Sequence, residues 1–384
     1  MGELFDRTAE LDRAFHLPTY ARKKVMFVRG EGMTLFDDDG KKYLDFTSGI
    51  GVTSLGHAHP KVAAAVAAQM TKLVHVSNLY FVEHRDELAA KLIQLFGHPG
   101  KVFFANSGAE ANEGCFKLAR RYGKAKRGEG ASTIICANGS FHGRTLAALA
   151  ATGQASKQDA FKPLPAGFKH VPLNDLEALA AAITDDVCAV MVEPIQGEGG
   201  VFPCTKEYLQ GARKLCDERG VLLMFDEVQT AFYRTGTPFS FQRCGVVPDA
   251  MALAKAMANG LPIGAILAGE KCMDTLQPGE HGSTFGGGPV VCAAALATLA
   301  AHEEQKLGEN ATRVGNYFLA KLEAFKESTG LLTDVRGAGL MVGVTLKDPI
   351  AARVVEEARA KGFVLLNVGD SILRFLPPLV CTEK

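Results

Sequence analysis

Residues 101–116 read "KVFFANSGAEANEGCF". A short apolar run, the length of a buried strand, stops at Asn106-Ser107-Gly108, and a helical pattern starts at once and is predicted to end at Gly123. The same alternation recurs downstream. "STIICAN" (132–138), "VCAVMVEP" (187–194), "GVLLMFDE" (220–227) and "PIGAILAG" (262–269) read as strands, with helical runs such as "KEYLQGARKLCDER" (206–219) between several of them. Strands that alternate with helices predict a mainly parallel sheet covered on both faces, with its site at the carboxyl ends of the strands. The polar residues gather at those ends: Asn106-Ser107-Gly108, Glu193 and Asp226-Glu227.

The chain has 384 residues, long for one simple core, and predicts a large domain plus a smaller one. Upstream, "VMFVRGEGMTLFDDDGKKYLDF" (25–46) predicts a strand, a turn at Asp39-Gly40 and a second strand, and 61–74 and 86–96 read as helices. After about residue 290 comes an Ala-rich helix, then the helix "NATRVGNYFLAKLEAFKEST" (310–329). Strands near 331–346 and 363–376 around a further helix follow, the texture of a small α+β domain. The expected division is 1–50 as an N-terminal segment joining the small domain, 51–280 as the large domain and 281–384 as the small domain.

Lys plus Arg number 42 and Asp plus Glu number 42, so a zero formal charge gives no support for a nucleic-acid or anionic-membrane partner. No apolar run reaches the roughly 18–20 uninterrupted residues of a membrane helix. The start, "MGELFDRTAELDRAF", has no apolar signal core, and the expected location is the cytoplasm. Nine scattered cysteines without a C-x-x-C pair fit reduced thiols rather than a disulfide framework or a zinc site.

Three stretches need a chemical reading. At "FFANSGAEAN", free N–H groups at a helix start bind anions and Gly lets a phosphate approach closely, while Ser107 reads equally as a simple N-cap. No Walker A loop and no G-x-G-x-x-G follows the strand. At "VLLMFDEVQT", five apolar residues lead into Asp226, read either as a turn cap or as a carboxylate held for a cationic ligand atom. At "MALAKAMANGLPIGAILAG" (251–269), Lys255 stands alone among small and apolar residues. It reads either as the exposed lysine of an amphipathic helix or as a desolvated amine with a lowered pKa, a good nucleophile for a carbonyl. An anion cradle, a buried Asp and a desolvated Lys together suit pyridoxal 5'-phosphate, with the lysine on the aldehyde and the Asp on the pyridine nitrogen. His57 and His59 of "GHAHP" read as structural rather than as a metal pair, and no metal is expected. Ser140 and His142 lack the G-x-S-x-G frame of a hydrolase.

The motifs "NSGAEANE", "SFHGRTLAAL", "EPIQGEGGV", "LLMFDEVQT", "RTGTPFSF", "ALAKAMANGLPIGA" and "HGSTFGG" stand in the order seen in class III (ω-amino acid) aminotransferases. The resemblance runs from about residue 17 to about 380. Within the class the chain is most similar to the acetylornithine aminotransferases, on "GIGVTSLGHAHPKV", "HVSNLY" and "RGEGMTLFDDDGKKYLDF".

The resemblance implies the α/β fold type I of PLP-dependent transferases, a mainly parallel seven-stranded sheet with a smaller α+β domain, and a homodimer with shared sites. It makes Lys255 the Schiff-base and proton-moving lysine and pairs Asp226 with the pyridine nitrogen. It brings Gln229 to the ring hydroxyl and Val228 and Phe141 to the two ring faces. It gives the phosphate to Ser107, Gly108 and Ala109, with Thr284 reaching the phosphate of the neighbouring subunit. Arg144 would bind the distal substrate carboxylate, Arg374 the α-carboxylate of glutamate, and Ser283 the substrate. Glu198 would pair with Arg374 when acetylornithine occupies the site. The implied reaction moves an amino group between glutamate/2-oxoglutarate and N2-acetylornithine/N-acetylglutamate 5-semialdehyde. Succinylornithine, succinyldiaminopimelate, ornithine and 4-aminobutyrate aminotransferases are the alternatives, and a glutamate-1-semialdehyde aminomutase is a more distant one. The chain departs from the family pattern at Phe285-Gly286-Gly287-Gly288 and at Ala231-Phe232-Tyr233, where larger residues are expected to reshape the pocket edge.

Overall fold

Strands that are apolar on both faces need cover on both sides. In the computed structural model, which describes residues 2–383, they receive it. Seven strands form the central sheet: β1 (Gly100–Ala105), β2 (Thr133–Ala137), β3 (Phe168–Val171), β4 (Val187–Val192), β5 (Leu222–Asp226), β6 (Ala250–Leu253) and β7 (Gly264–Gly269). Their spatial order is β1-β7-β6-β5-β4-β2-β3. Every pairing is parallel except those of β7, which runs antiparallel to both neighbours. The reason lies in chain length. Ala254–Ile263, ten residues, join β6 to β7, and a parallel crossover needs a dozen or more.

The two faces sort by residue parity, as the period of a strand requires. Leu223, Phe225, Met251, Leu253 and Leu267 enter one core, and Leu222, Met224, Ala250, Ala252 and Ile266 enter the other. Helix α1 (Gly108–Arg127) covers the second face with Cys115, Phe116, Leu118 and Tyr122. Helix α2 (Lys206–Arg219) covers the first with Leu209, Ala212 and Cys216.

Helix α1 does not end at Gly123. It runs to Arg127 and stops at Gly128. Gly123 is there for packing: a Cβ on it would sit 2.3 Å from the Ala131 carbonyl oxygen and 2.5 Å from Cys188 Cβ. The N-terminal segment also differs from expectation. It forms three strands, Phe27–Glu31, Thr34–Asp37 and Lys42–Asp45, because a further turn is made at Gly32 with φ 53°. The third strand pairs in parallel with Phe363–Val364, so segments from opposite halves of the chain share one sheet. A second four-stranded sheet consists of β8 (Leu332–Ala338), β9 (Met341–Leu346), β10 (Leu366–Val368) and β11 (Ile372–Phe375), in the order β8-β9-β11-β10.

The changeover between the two parts falls later than residue 281. Helix α3 (Pro289–Glu304) packs on helix Pro60–Met70 and on the turn that begins at Lys255. Helix α4 (Leu307–Thr329) bridges the parts. Leu307, Ala311 and Val314 belong to the large core, and Phe318, Leu319 and Leu322 pack on the small one. Arg234 adds a second tie. Fully buried, its Nη1 donates to the carbonyls of Leu340 (3.0 Å) and Pro377 (2.5 Å), and burial lowers its pKa to about 10. Among the described residues no helix is long and apolar enough to cross a membrane.

Gly123→Ala is expected to destabilise the protein by about 1–3 kcal/mol through overpacking, although Ala is the better helix former. Gly130→Ala, in an exposed turn with no heavy atom near the new Cβ, should be neutral or stabilise by up to about 1 kcal/mol. Denaturant midpoints decide; equal stability of Gly123→Ala and the parent would remove the packing role.

Candidate active site

The carboxyl ends of β1, β2, β4, β5 and β6 meet at one cavity of about 440 Å³. It is lined by Ser107, Gly108, Ala109, Phe141, Arg144, Glu198, Asp226, Val228, Gln229 and Lys255 among others. Ten of the residues singled out in the sequence, spread over about 150 positions, therefore share one space.

Ser107 does cap α1: its Oγ accepts the N–H of Glu110 at 3.2 Å. That leaves the N–H groups of Gly108 and Ala109, which have no intrahelical acceptor, beside the cavity. The cap and the anion cradle are one structure. Both glycines nearby are required by close approach. A Cβ on Gly108 would meet Val228 Cγ1 at 2.8 Å, and one on Gly264 would meet the Ser107 carbonyl oxygen at 2.3 Å.

Asp226 ends β5 at 3% exposure and is fully engaged. Its Oδ2 accepts from Asn112 Nδ2 and from His142 Nδ1, each at 2.8 Å, and its Oδ1 accepts the Val228 N–H at 3.0 Å. Burial alone lowers the His142 pKa. The hydrogen bond to Asp226 and the contact with Cys136 outweigh it and hold the imidazole well above its ordinary value.

Lys255 follows β6 in the left-handed region, φ 43°. For a residue with a Cβ that conformation costs about 1–3 kcal/mol and persists where the surroundings impose it. Burial lowers the amine pKa to about 8, opposed by the Glu198 carboxylate and reinforced by the Arg374 cation. Glu198 and Arg374 face each other at 2.6 Å, and the Gln229 amide oxygen lies 3.5 Å from the same guanidinium nitrogen. Burial raises the Glu198 pKa, but Arg374 prevails and lowers it. Arg374 is buried, and its Nε has no hydrogen-bond partner among the described residues. Arg144 also lines the cavity, with its guanidinium 5.7 Å from the Phe141 ring centroid.

Ser283 and Thr284 are not brought to this cavity. Ser283 Oγ accepts from Asn106 Nδ2 (3.2 Å) and from the Gly286 N–H (3.0 Å), and Thr284 is exposed on the same loop. The residues Ala231-Phe232-Tyr233 do not shape the pocket edge either. Phe232 is buried against Phe239, Tyr233 packs on His302, and none of the three lines the cavity.

The hydrolase reading fails on geometry, since Ser140 Oγ is bound to the backbone of Ala151 and Gly153 while His142 turns to Asp226. His57 and His59 diverge, one to Asp45 Oδ2 at 2.9 Å and the other to Gln305. Sequence reasoning missed Asn112, His142 as a partner of Asp226, and Val52. It placed Glu193 at a strand end without a role. That carboxyl accepts the N–H groups of Phe141 (2.9 Å) and Gly197 (3.0 Å), and burial raises it to about 7 against the opposing His142 cation.

The model of the aminotransferase class-III family matches residues 18–384. The chain belongs to the class-III aminotransferases. An acetylornithine aminotransferase from Methanocaldococcus jannaschii is 47% identical over 98% of this chain and 94% of that protein. An ornithine aminotransferase from Toxoplasma gondii superimposes with a TM-score of 0.94 at 33% identity, covering 99% of this chain and 91% of that one. An acetylornithine aminotransferase from Elizabethkingia anophelis gives 0.87 at 34% identity, over 99% and 95% of the two chains. The class-III aminotransferases are PLP-dependent transaminases of fold type I, and the cavity fits that cofactor. It offers an amine that makes no hydrogen bond among the described residues, a pinned carboxylate, and two free N–H groups at a helix start.

In the cofactor-free protein the neutral amine is the reactive form, so a depressed pKa raises its reactivity near neutral pH. Reductive methylation of Lys255, followed by peptide mass, should rise with pH to a midpoint at about 8, while ordinary lysines continue to rise toward about 10.4. A Lys255 profile matching the surface lysines would show a solvated amine.

Proposed function

We propose that this class-III aminotransferase interconverts N2-acetylornithine and 2-oxoglutarate with N-acetylglutamate 5-semialdehyde and glutamate. The observation that carries the reading is the Glu198–Arg374 ion pair, at 2.6 Å, whose glutamate lines the cavity together with Arg144. Glutamate brings a carboxylate on the reacting carbon, and the δ-semialdehyde does not. A buried arginine that served the first substrate would stand unpaired before the second, a costly state. Glu198 resolves this by pairing with Arg374 whenever no substrate carboxylate does. The names of the curated relatives point the same way.

When bound, the cofactor supplies an aldehyde for amines and a ring that accepts the electron pair released at the substrate carbon. The chain's residues do the rest. Gly108 and Ala109 hold the phosphate with Ser107, and Phe141 and Val228 flank the ring. Asp226, pinned by Asn112 and His142, keeps a proton on the ring nitrogen. Gln229 binds the ring hydroxyl. Arg144 grips the distal carboxylate of either substrate, and Arg374 the α-carboxylate of glutamate. Lys255 Nζ, with its pKa at about 8, would take the proton from the amine-bearing carbon of the substrate and deliver it to the cofactor carbon that receives the amine, and do the reverse in the second half.

The second copy in a homodimer completes the site. Leu79, Tyr80 and Phe81 are 85%, 67% and 96% exposed, and Phe285 is 67% exposed, a patch too apolar to face water without purpose. Asn78 and Arg85 fasten this segment to the 283–287 loop through the carbonyls of Ser283, Gly286 and Gly287. A partner seated on the patch would receive Ser283 and Thr284 at its own cavity. The nine unpaired cysteines suit a reducing compartment such as the cytoplasm.

A half-reaction panel tests the reading. Glutamate-loaded enzyme should discharge to N-acetylglutamate 5-semialdehyde faster than to the succinyl analogue, glutamate semialdehyde or succinic semialdehyde; a faster rival would replace the assignment. Arg144→Ala should lower kcat/KM for both acetylornithine and glutamate by about 1.5–3 kcal/mol, the worth of a hydrogen bond to a charge. Glu198→Ala should split the two, lowering kcat/KM for acetylornithine by about tenfold or more through the unpaired arginine while glutamate loses less. Equal losses would remove Glu198 from its switching role.

A further inference from the structure

Neither Arg144 nor Lys157 is matched by a carboxylate. Among the described residues no acid lies within ion-pair distance of either cation, whereas Arg374 is neutralised by Glu198. Both unmatched cations approach the same ring. The Lys157 amine is 5.9 Å and the Arg144 guanidinium 5.7 Å from the centroid of Phe141, which lines the cavity. Lys157 itself is outside the lining, half-buried, and its position is built. Its amine donates to Gln154 Oε1, and Gln154 Nε2 is anchored to the carbonyls of Gly139 (3.2 Å) and Ser140 (3.1 Å), just before Phe141. The two cations feel each other: after burial, Arg144 is the next cause that lowers the Lys157 amine pKa, with Glu198 opposing.

We propose that Lys157 is a specificity-determining residue, making the distal end of the cavity a two-cation end that accepts a carboxylate tail and rejects one that also carries an ammonium. The inference rests on reading this cavity as the transaminase site with Arg144 at the distal end. Its chemistry separates two close substrates. Ornithine presents its α-carboxylate and α-ammonium there together, and like charges repel. N-acylation turns the ammonium into a neutral amide whose carbonyl oxygen accepts hydrogen bonds. A γ-carboxylate, as in glutamate, adds no positive charge. The favoured donors are therefore δ-amines whose α-nitrogen is acylated, and Lys157 supplies the discrimination against the free amine without touching the reacting atoms.

The test is kcat/KM for N2-acetylornithine and for ornithine, with 2-oxoglutarate as acceptor, in the holoenzyme and in Lys157→Met, Lys157→Arg and Lys157→Glu. In Lys157→Met the acetylornithine-to-ornithine ratio should fall about tenfold, through a rise for ornithine that is mainly a fall in KM. Lys157→Glu should take it further in the same direction, and Lys157→Arg should keep the parent ratio. A damaged fold lowers both constants and does not raise the one for ornithine. An unchanged ratio in Lys157→Met and Lys157→Glu, with acetylornithine turned over by the parent, overturns the assignment to Lys157. A parent enzyme that transaminates ornithine but not acetylornithine overturns the underlying functional reading instead.

Discussion

A carboxylate at the end of a strand that is buried on both faces must be compensated, and the compensation of Asp226 organises the site. Its three hydrogen bonds come from α1 through Asn112, from the loop after β2 through His142, and from its own following turn through Val228. One buried charge thereby fixes the relative placement of a helix, a loop and a strand end. Phe141 follows as a neighbour of His142, Ser107 and Gly108 as the start of the helix that carries Asn112, and Gln229 as the turn after Val228. An ionised acid in this position would be a liability in a protein without a use for it. Here it lines the cavity, where on the proposed function it would face the ring nitrogen of the cofactor.

Lys255 depends on a different constraint, the shortness of the β6–β7 link. Ten residues are too few for a helical crossover, so β7 returns antiparallel beside β1. The chain turns sharply just after β6, with Lys255 and Asn259 both in the left-handed region. Helix α3 packs against this turn and is lined with alanines, Ala293, Ala294, Ala295 and Ala297, so little space is left for the backbone to relax. The strain at Lys255 is held in place by that packing, and the side chain is delivered into the cavity opposite Asp226.

Much of this was legible from residue patterns. β1, β2, β4, β5 and β7 are runs of apolar residues at strand length, and α2 is bounded as read, 206–219. β3, "FKHV", and β6, "AMAL", were not. The first is a short edge strand with only Val171 buried, too brief to show a period, and the second is built of helix-favouring residues whose strand state is imposed by neighbours on both sides. Gly123 looked like a helix stop because a glycine that ends a helix and a glycine that admits a neighbouring backbone are the same letter. The ends of the reaction cavity were visible in motifs. Its partners were not, because Asn112 and His142 serve Asp226 across 114 and 84 positions, and nothing local marks such a pairing.

The charges around the cavity show why one pocket serves two dissimilar substrates. Arg374 and Glu198 form an ion pair, and on the proposed function it would part to admit a carboxylate and close again when none is present. Arg144 and Lys157, near Phe141, have no acid within ion-pair distance among the described residues, although the Glu198 carboxylate is felt at Lys157. On the proposed function a substrate would be oriented before chemistry by its permanent carboxylate at Arg144. The reacting carbon would then lie beside the Lys255 amine, whose pKa is held down to about 8 by burial and by the neighbouring Arg374. On the proposed function, release of Glu198 from Arg374 by an incoming carboxylate would change the charge balance around that amine as well. On that reading, substrate identity and the protonation of Lys255 would be coupled through the same pair of side chains, both of which act on its pKa.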